Sequence, residues 1–162
     1  MNSRLEFLSR RNKGKQLIPN YIKVLSEITS CQTNTFLDDL LDLESSDHIY
    51  EKYSLNIRAI NEGFYTGPCV KKTLKSPEQV LIELQNSAIH FPENEKFYLI
   101  TKLTEYCGLV QISFGVIAAC FDKIISYDGD SLGLVSINSS KGLIIDKYDT
   151  NNRISYDFIA YF

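Results

Sequence analysis

The 162-residue sequence has no tryptophan, one methionine and only four cysteines. Cys31, Cys69, Cys107 and Cys120 are spaced in a way that matches no CxxC or zinc-ribbon pattern. We therefore expect free thiols rather than a metal site or a disulfide framework. A single methionine also excludes an adaptable methionine-rich binding groove.

Long hydrophobic runs are missing as well. The longest apolar stretch, Phe114 to Phe121, is interrupted by Gly115. It is far shorter than the roughly 18 apolar residues that a membrane span needs. The N-terminus carries no apolar signal-peptide core. These observations predict a cytosolic protein that does not associate with membranes.

Neither sign of charge dominates the chain. There are 17 lysines and arginines against 20 aspartates and glutamates, which gives a net charge of -3. That balance provides no overall attraction to nucleic acid or to anionic membranes. The motifs GxGxxG and HExxH, which bind phosphate groups and catalytic zinc, are absent from the sequence. We therefore predict a protein that is not an enzyme, with no cofactor, no bound metal and no nucleic-acid partner.

The N-terminal half is predicted to be helical. Residues 1–16 are polar and basic with Gly14 among them, so we expect a solvated, flexible arm there. Apolar residues then recur with helical spacing, and residues 17–91 are predicted to be mainly helical. Residues 63–75 are predicted to be a loop. A capping box at Ser76–Gln79, with proline second, predicts the start of the next helix.

Residues 92–162 are predicted to be mainly β. A helix is expected over about 115–126, where a continuous strand is the alternative, because apolar spacing is ambiguous in short runs. Alternating residues between turn-rich clusters predict strands, which we place over residues 96–103, 108–113, 131–137, 142–148 and 153–161. Helices followed by antiparallel strands indicate a single α+β domain, with N-terminal helices packed against a C-terminal sheet.

The stretch from Asp38 to Glu51 contains six acidic residues and no lysine or arginine. It predicts either the solvated face of a helix or an electrostatic docking face for a basic protein. The candidate binding residues in this stretch are the first five acids and a tyrosine of the kind that interfaces favour. They are Asp38, Asp39, Asp42, Glu44, Asp47 and Tyr50.

A second candidate is the segment Tyr127–Ser131, which places Asp128 and Asp130 on either side of a glycine. The simplest interpretation is a polar turn, and a loop that contacts a partner is another. Alternatively, the two carboxylates and Asp146 could hold a divalent cation such as Mg²⁺. That arrangement would make the chain a metal-dependent nuclease or hydrolase.

The block Phe121-Asp-Lys-Ile-Ile-Ser-Tyr-Asp-Gly-Asp-Ser-Leu-Gly-Leu-Val-Ser-Ile137, followed by Gly142-Leu-Ile-Ile-Asp-Lys-Tyr148, resembles a known protein family. The family comprises small immunity proteins that bacteria encode beside polymorphic toxins, including contact-dependent growth-inhibition systems. The resemblance covers residues 115–162. It implies a cytosolic, non-catalytic protein that binds one cognate toxin domain, often a basic nuclease, and blocks it by occlusion. The acidic residues named above, together with Asp128 and Asp130, would then contact the toxin.

Overall fold

The computed structural model describes residues 3–151 and 153–162. Helices and strands alternate along most of this part of the chain. In order, the elements are α1 (Ser3–Thr29), α2 (Thr33–Asp38), α3 (Leu43–Glu62), β1 (Cys69–Leu74), α4 (Pro77–Ser87), β2 (Lys96–Ile100), α5 (Thr104–Cys107), β3 (Val110–Ser113), α6 (Phe114–Asp128), β4 (Ser131–Ser136), β5 (Gly142–Thr150) and β6 (Arg153–Tyr161). None of these helices is long and apolar enough to cross a membrane.

The strands form one antiparallel sheet with the order β1-β6-β5-β4-β2-β3. Helices α1, α4 and α6 pack on one face, where residues such as Tyr21, Leu84 and Ile124 are fully buried. Helix α3 packs on the other face through Tyr53 and Ile60. Each large apolar side chain buried in these layers contributes about 1.5–3 kcal/mol. The α+β prediction is confirmed.

Helix α1 shows that the prediction of a flexible N-terminal arm is wrong for residues 3–16. These residues continue into the rest of the helix without a break. A β-carbon at Gly14 would lie 1.9 Å from the backbone oxygen of Tyr106. Glycine therefore allows α1 to approach α5 closely, and it does not end the helix. Residues 1 and 2 of the predicted arm lie outside the described residues.

Two further predictions are wrong in the middle of the chain. Within the supposed loop 63–75, strand β1 pairs with β6 from Cys69↔Tyr161 to Leu74↔Tyr156. The adjacent Lys71 and Lys72 hide the strand in the sequence, since they break the usual alternation of polar and apolar residues. Strand β2 is also shorter than predicted, because the chain turns into α5 before β3 begins.

Local signals elsewhere are confirmed. The Ser76 hydroxyl accepts a hydrogen bond from the backbone N–H of Gln79 at the start of α4, with Pro77 as the first helical residue. Gly63 ends α3 in the left-handed conformation, at φ 77°. Helix α6 is a helix and not a strand, and β4, β5 and β6 follow their predicted ranges within two residues.

Candidate functional site

Two acids of the acidic stretch form ion pairs with basic residues of the same fold. Asp47 receives two hydrogen bonds from the Arg10 guanidinium, at 2.7 and 3.0 Å, and this contact raises the pKa of Arg10. Asp39 Oδ2 lies 2.6 Å from Lys96 Nζ on β2. The basic residues that pair with these acids come from α1 and β2, far away in sequence. Asp39 and Asp47 thus hold helices and sheet together.

Asp42 has a local structural role. It is the N-cap of α3, and its carboxylate accepts hydrogen bonds from the backbone N–H and the hydroxyl of Ser45, at 2.9 and 2.8 Å. These two bonds lower the pKa of Asp42. Asp38 and Glu44 are exposed and take part in none of the ion pairs within residues 3–151 and 153–162. The stretch therefore does not present five free acids on one face.

Two open clefts border the N-terminal half of α1, and four of the candidate residues line them. One cleft, of about 440 Å³, holds Asp42 and Glu44 beside two basic residues of α1. The other, of about 510 Å³, is lined by Asp47 and by Tyr50, whose side chain is 47% exposed. Both walls mix acids with bases, so neither cleft presents a strong charge of one sign. Toxin contact by these residues stays a prediction.

Asp128 is a buried structural acceptor. It is 3% exposed, and both carboxylate oxygens accept the backbone N–H of Lys102, at 2.8 and 3.0 Å. Burial raises the pKa of Asp128 to about 6, against the lowering effect of that hydrogen bond. The bond ties the segment after β2 to the C-terminal end of α6.

Asp130 lies in the turn after α6, and the proposed carboxylate cluster does not form. The Asp130 side chain is exposed, and its backbone φ is 90°. The Asp130 carbonyl accepts a hydrogen bond from the backbone N–H of Lys147 at 2.7 Å. Asp146, the third proposed ligand, is instead hydrogen-bonded to Ser131. In the part of the chain that the structure describes, no three His, Cys, Asp or Glu side chains are grouped to hold a metal ion.

A different acidic feature lies on the sheet itself. Strand registers place one residue from each of four neighbouring strands in a straight row, on the side of the sheet against which α3 packs. The row runs Ser131 (β4), Asp146 (β5), Asp157 (β6) and Thr73 (β1). The Ser131 hydroxyl donates to Asp146 Oδ1 at 2.5 Å, and the Thr73 hydroxyl donates to Asp157 Oδ1 at 2.8 Å. Two acids therefore face each other between two hydroxyl groups.

No basic side chain among the described residues compensates this acid pair. Neither Asp146 nor Asp157 takes part in an ion pair with any residue that the structure describes. Burial raises the pKa of Asp146, and the charge of Asp157 raises it further, against the lowering effect of the Ser131 bond. Like charges directly opposite on neighbouring strands destabilise a sheet. The pair thus concentrates negative charge on a part of the sheet surface where both acids are half-buried.

This part of the surface also has an aromatic flank. Tyr148 follows Asp146 by two residues on β5, so both side chains lie on the same face of the sheet. The Tyr148 side chain is 46% exposed. We call the row Ser131–Asp146–Asp157–Thr73 together with Tyr148 the open sheet face. The sequence pattern predicts Asp146 only as a metal ligand, and it does not single out Asp157 or Tyr148.

Comparisons with known proteins gave no match. No family model matches the chain, and neither a curated protein nor a solved structure matches it. The resemblance to immunity proteins therefore stays a prediction. The function is inferred from the geometry of the described residues.

Proposed function

We propose that this chain is a cytosolic immunity protein that binds one cognate toxin domain, of a basic nuclease type, and neutralises it by occlusion. The observation that carries the proposal is the uncompensated Asp146–Asp157 pair on the open sheet face. A basic side chain from a partner, placed between the two carboxylates, would relieve their repulsion and form charge-assisted hydrogen bonds. Such a surface fits a partner rich in lysine and arginine.

The surroundings of the pair support binding rather than a purely solvated surface. Ser131 and Thr73 fix the orientation of the two carboxylates from outside, so little side-chain freedom remains to be lost on association. Tyr148 offers an exposed aromatic ring next to the charges, and tyrosine is enriched among the residues that dominate binding energy. Asp38, Glu44 and Tyr50 remain candidates for additional contacts.

The proposal is tested by co-expression with the protein encoded immediately upstream. Growth rescue of the host and co-elution of a one-to-one complex from a sizing column are the expected results. A folded protein that neither rescues growth nor forms a complex would contradict the immunity proposal.

A matched pair of variants tests the surface. Asp157→Asn removes a charge from the acid pair. Asp149→Asn removes a charge from an exposed position on the opposite face of the same hairpin. We expect Asp157→Asn to weaken the complex and Asp149→Asn to leave it unchanged. Equal behaviour of the two variants would remove the open sheet face from the proposal.

A further inference from the structure

Strand β1 is an unprotected edge of the sheet. Its sole neighbour in the described sheet is β6. The N–H of Phe162 donates to the carbonyl of Pro68 at 3.1 Å, which sets the hydrogen-bonding phase between the two strands. Backbone groups alternate in direction along an antiparallel strand. The N–H and C=O groups of Cys69, Lys71 and Thr73 therefore point away from β6.

These outward groups have no partner elsewhere in the described residues, because no other segment there forms backbone hydrogen bonds with them. Cys69, Lys71 and Thr73 are all exposed. The opposite edge of the sheet is different, since β3 has four residues and each is buried or half-buried. Most proteins protect the edges of a sheet, because the edge strand is very short, is covered by another element, or is twisted away by a bulge. The six residues of β1 are long enough to pair with another strand of typical length.

Positive charge lines this edge. Lys72 is compensated by Glu83, at 2.8 Å. Lys71 instead donates to the neutral side-chain oxygen of Asn61, also at 2.8 Å. Lys75, just after β1, is exposed and takes part in none of the ion pairs of the described residues. Two lysine charges therefore remain uncompensated along one open strand.

The same charges disfavour a second copy of this chain as the occupant. If two β1 strands paired antiparallel about Lys71, whose backbone groups point outward, Lys71 of one copy would lie directly opposite Lys71 of the other. Like charges directly opposite across strands are destabilising. Lysines on an edge strand are a known device against such self-pairing. An acidic strand beside β1 would instead place carboxylates near these lysines, and opposite charges across strands are stabilising.

We propose that β1 binds an extended acidic segment of another protein, which adds to the sheet as a further strand beside β1. Main-chain hydrogen bonds to Cys69, Lys71 and Thr73 would hold the segment, and Lys71 and Lys75 would select for acidic side chains. This edge shares Thr73 with the open sheet face, but it binds through the outward backbone groups of β1 and not through the acid pair, and the inference does not depend on the proposed function.

The test uses the full-length protein and a synthetic heptapeptide that alternates glutamate with valine. Amide hydrogen exchange can be followed by NMR. The exchange rates of the outward amides of Lys71 and Thr73 should fall by about tenfold or more when the peptide is present. A peptide with lysine in place of glutamate should give no such protection. Equal protection by both peptides, or none by either, would overturn the proposal. Protection of these amides in the protein alone, rising with its concentration, would assign the edge to a second copy.

A matched pair of substitutions tests the main-chain contact. Thr73→Pro removes an outward N–H while leaving the bonds between β1 and β6 in place. Thr73→Val removes the same hydroxyl group but keeps the N–H. We expect Thr73→Pro to weaken peptide binding about tenfold relative to Thr73→Val. Equal affinities of the two variants would contradict strand addition at β1, and the exchange measurement on the unaltered protein decides the question if Thr73→Pro does not fold.

Discussion

Replacing Asp157 with asparagine should stabilise the folded protein, because it removes the repulsion between Asp157 and Asp146. The two residues lie directly opposite each other on β6 and β5. Directly opposite β-carbons are about 5 Å apart, and two unit charges at that distance repel by roughly 0.8 kcal/mol in water. Asparagine keeps the Oδ1 atom that accepts the hydrogen bond from Thr73. The substitution therefore changes the charge and little else.

The gain should depend on pH. Burial and the nearby Asp157 charge raise the pKa of Asp146 in the folded state. The folded protein then holds this proton more tightly than the unfolded chain does, so it loses stability as pH rises through the raised pKa. In the Asp157→Asn protein this loss should be smaller, since one of its causes is gone.

Urea unfolding followed by circular dichroism measures both effects. At neutral pH the unfolding free energy should be about 0.5–1 kcal/mol higher for Asp157→Asn than for the unaltered protein. The difference should shrink at about pH 3, where protonation of Asp146, whose pKa is raised, removes its repulsion with residue 157. It should also shrink at high salt, which screens surface charges. Asp149→Asn, on the opposite face, should change stability little. A loss of stability, or equal shifts in the two variants, would refute the reasoning about the acid pair.

Three further predictions concern the contacts that hold the fold together. Gly14→Ala should destabilise the protein by about 1–3 kcal/mol in urea unfolding, because the added β-carbon would overlap the backbone oxygen of Tyr106; an unchanged midpoint would contradict the close packing of α1. Asp42→Ala should cost about 1 kcal/mol by removing the N-cap of α3, whereas Asp42→Asn should cost much less. Asp128 has a pKa of about 6 in the folded protein, so its contribution makes stability fall as pH rises from about 4 to about 6. Asp128→Asn should remove that slope, and an unaltered slope in a pH series of unfolding curves would show that Asp128 is not its source.

Elements with local signals could be predicted from the sequence. Ser76 and Pro77 specify the start of α4 through groups within one helical turn. Gly63 ends α3 because glycine adopts positive φ without strain. The C-terminal strands alternate between clear turn clusters, so their ranges were correct within two residues.

Features that depend on distant partners could not be predicted in this way. Strand β1 forms because β6 pairs with it, and its own residues carry a weak pattern. The acidic stretch was interpreted as free charge, but Asp39 and Asp47 find basic partners 57 and 37 residues away. A sequence window shows the acids without showing what lies opposite them.

The Asp146–Asp157 pair could be predicted in part, because the sequence indicates the hairpin but not its register. The predicted hairpin over residues 142–161 implied that β5 and β6 pair, but a shift of one residue in register would send Asp146 and Asp157 to opposite faces. The register depends on the turn, in which Asn151 adopts a positive φ of 52°. Asn152, the last residue of the predicted turn cluster, lies outside the described residues.

The central claim is that a basic toxin domain docks on the open sheet face, and the association rate tests it most directly. Rates should be measured with the purified toxin domain encoded upstream, at low and high salt, for the unaltered protein, Asp157→Asn and Asp149→Asn. The claim predicts that Asp157→Asn slows association at low salt, that high salt removes the difference, and that Asp149→Asn has little effect. An association rate that is the same for all three proteins at low salt would contradict it.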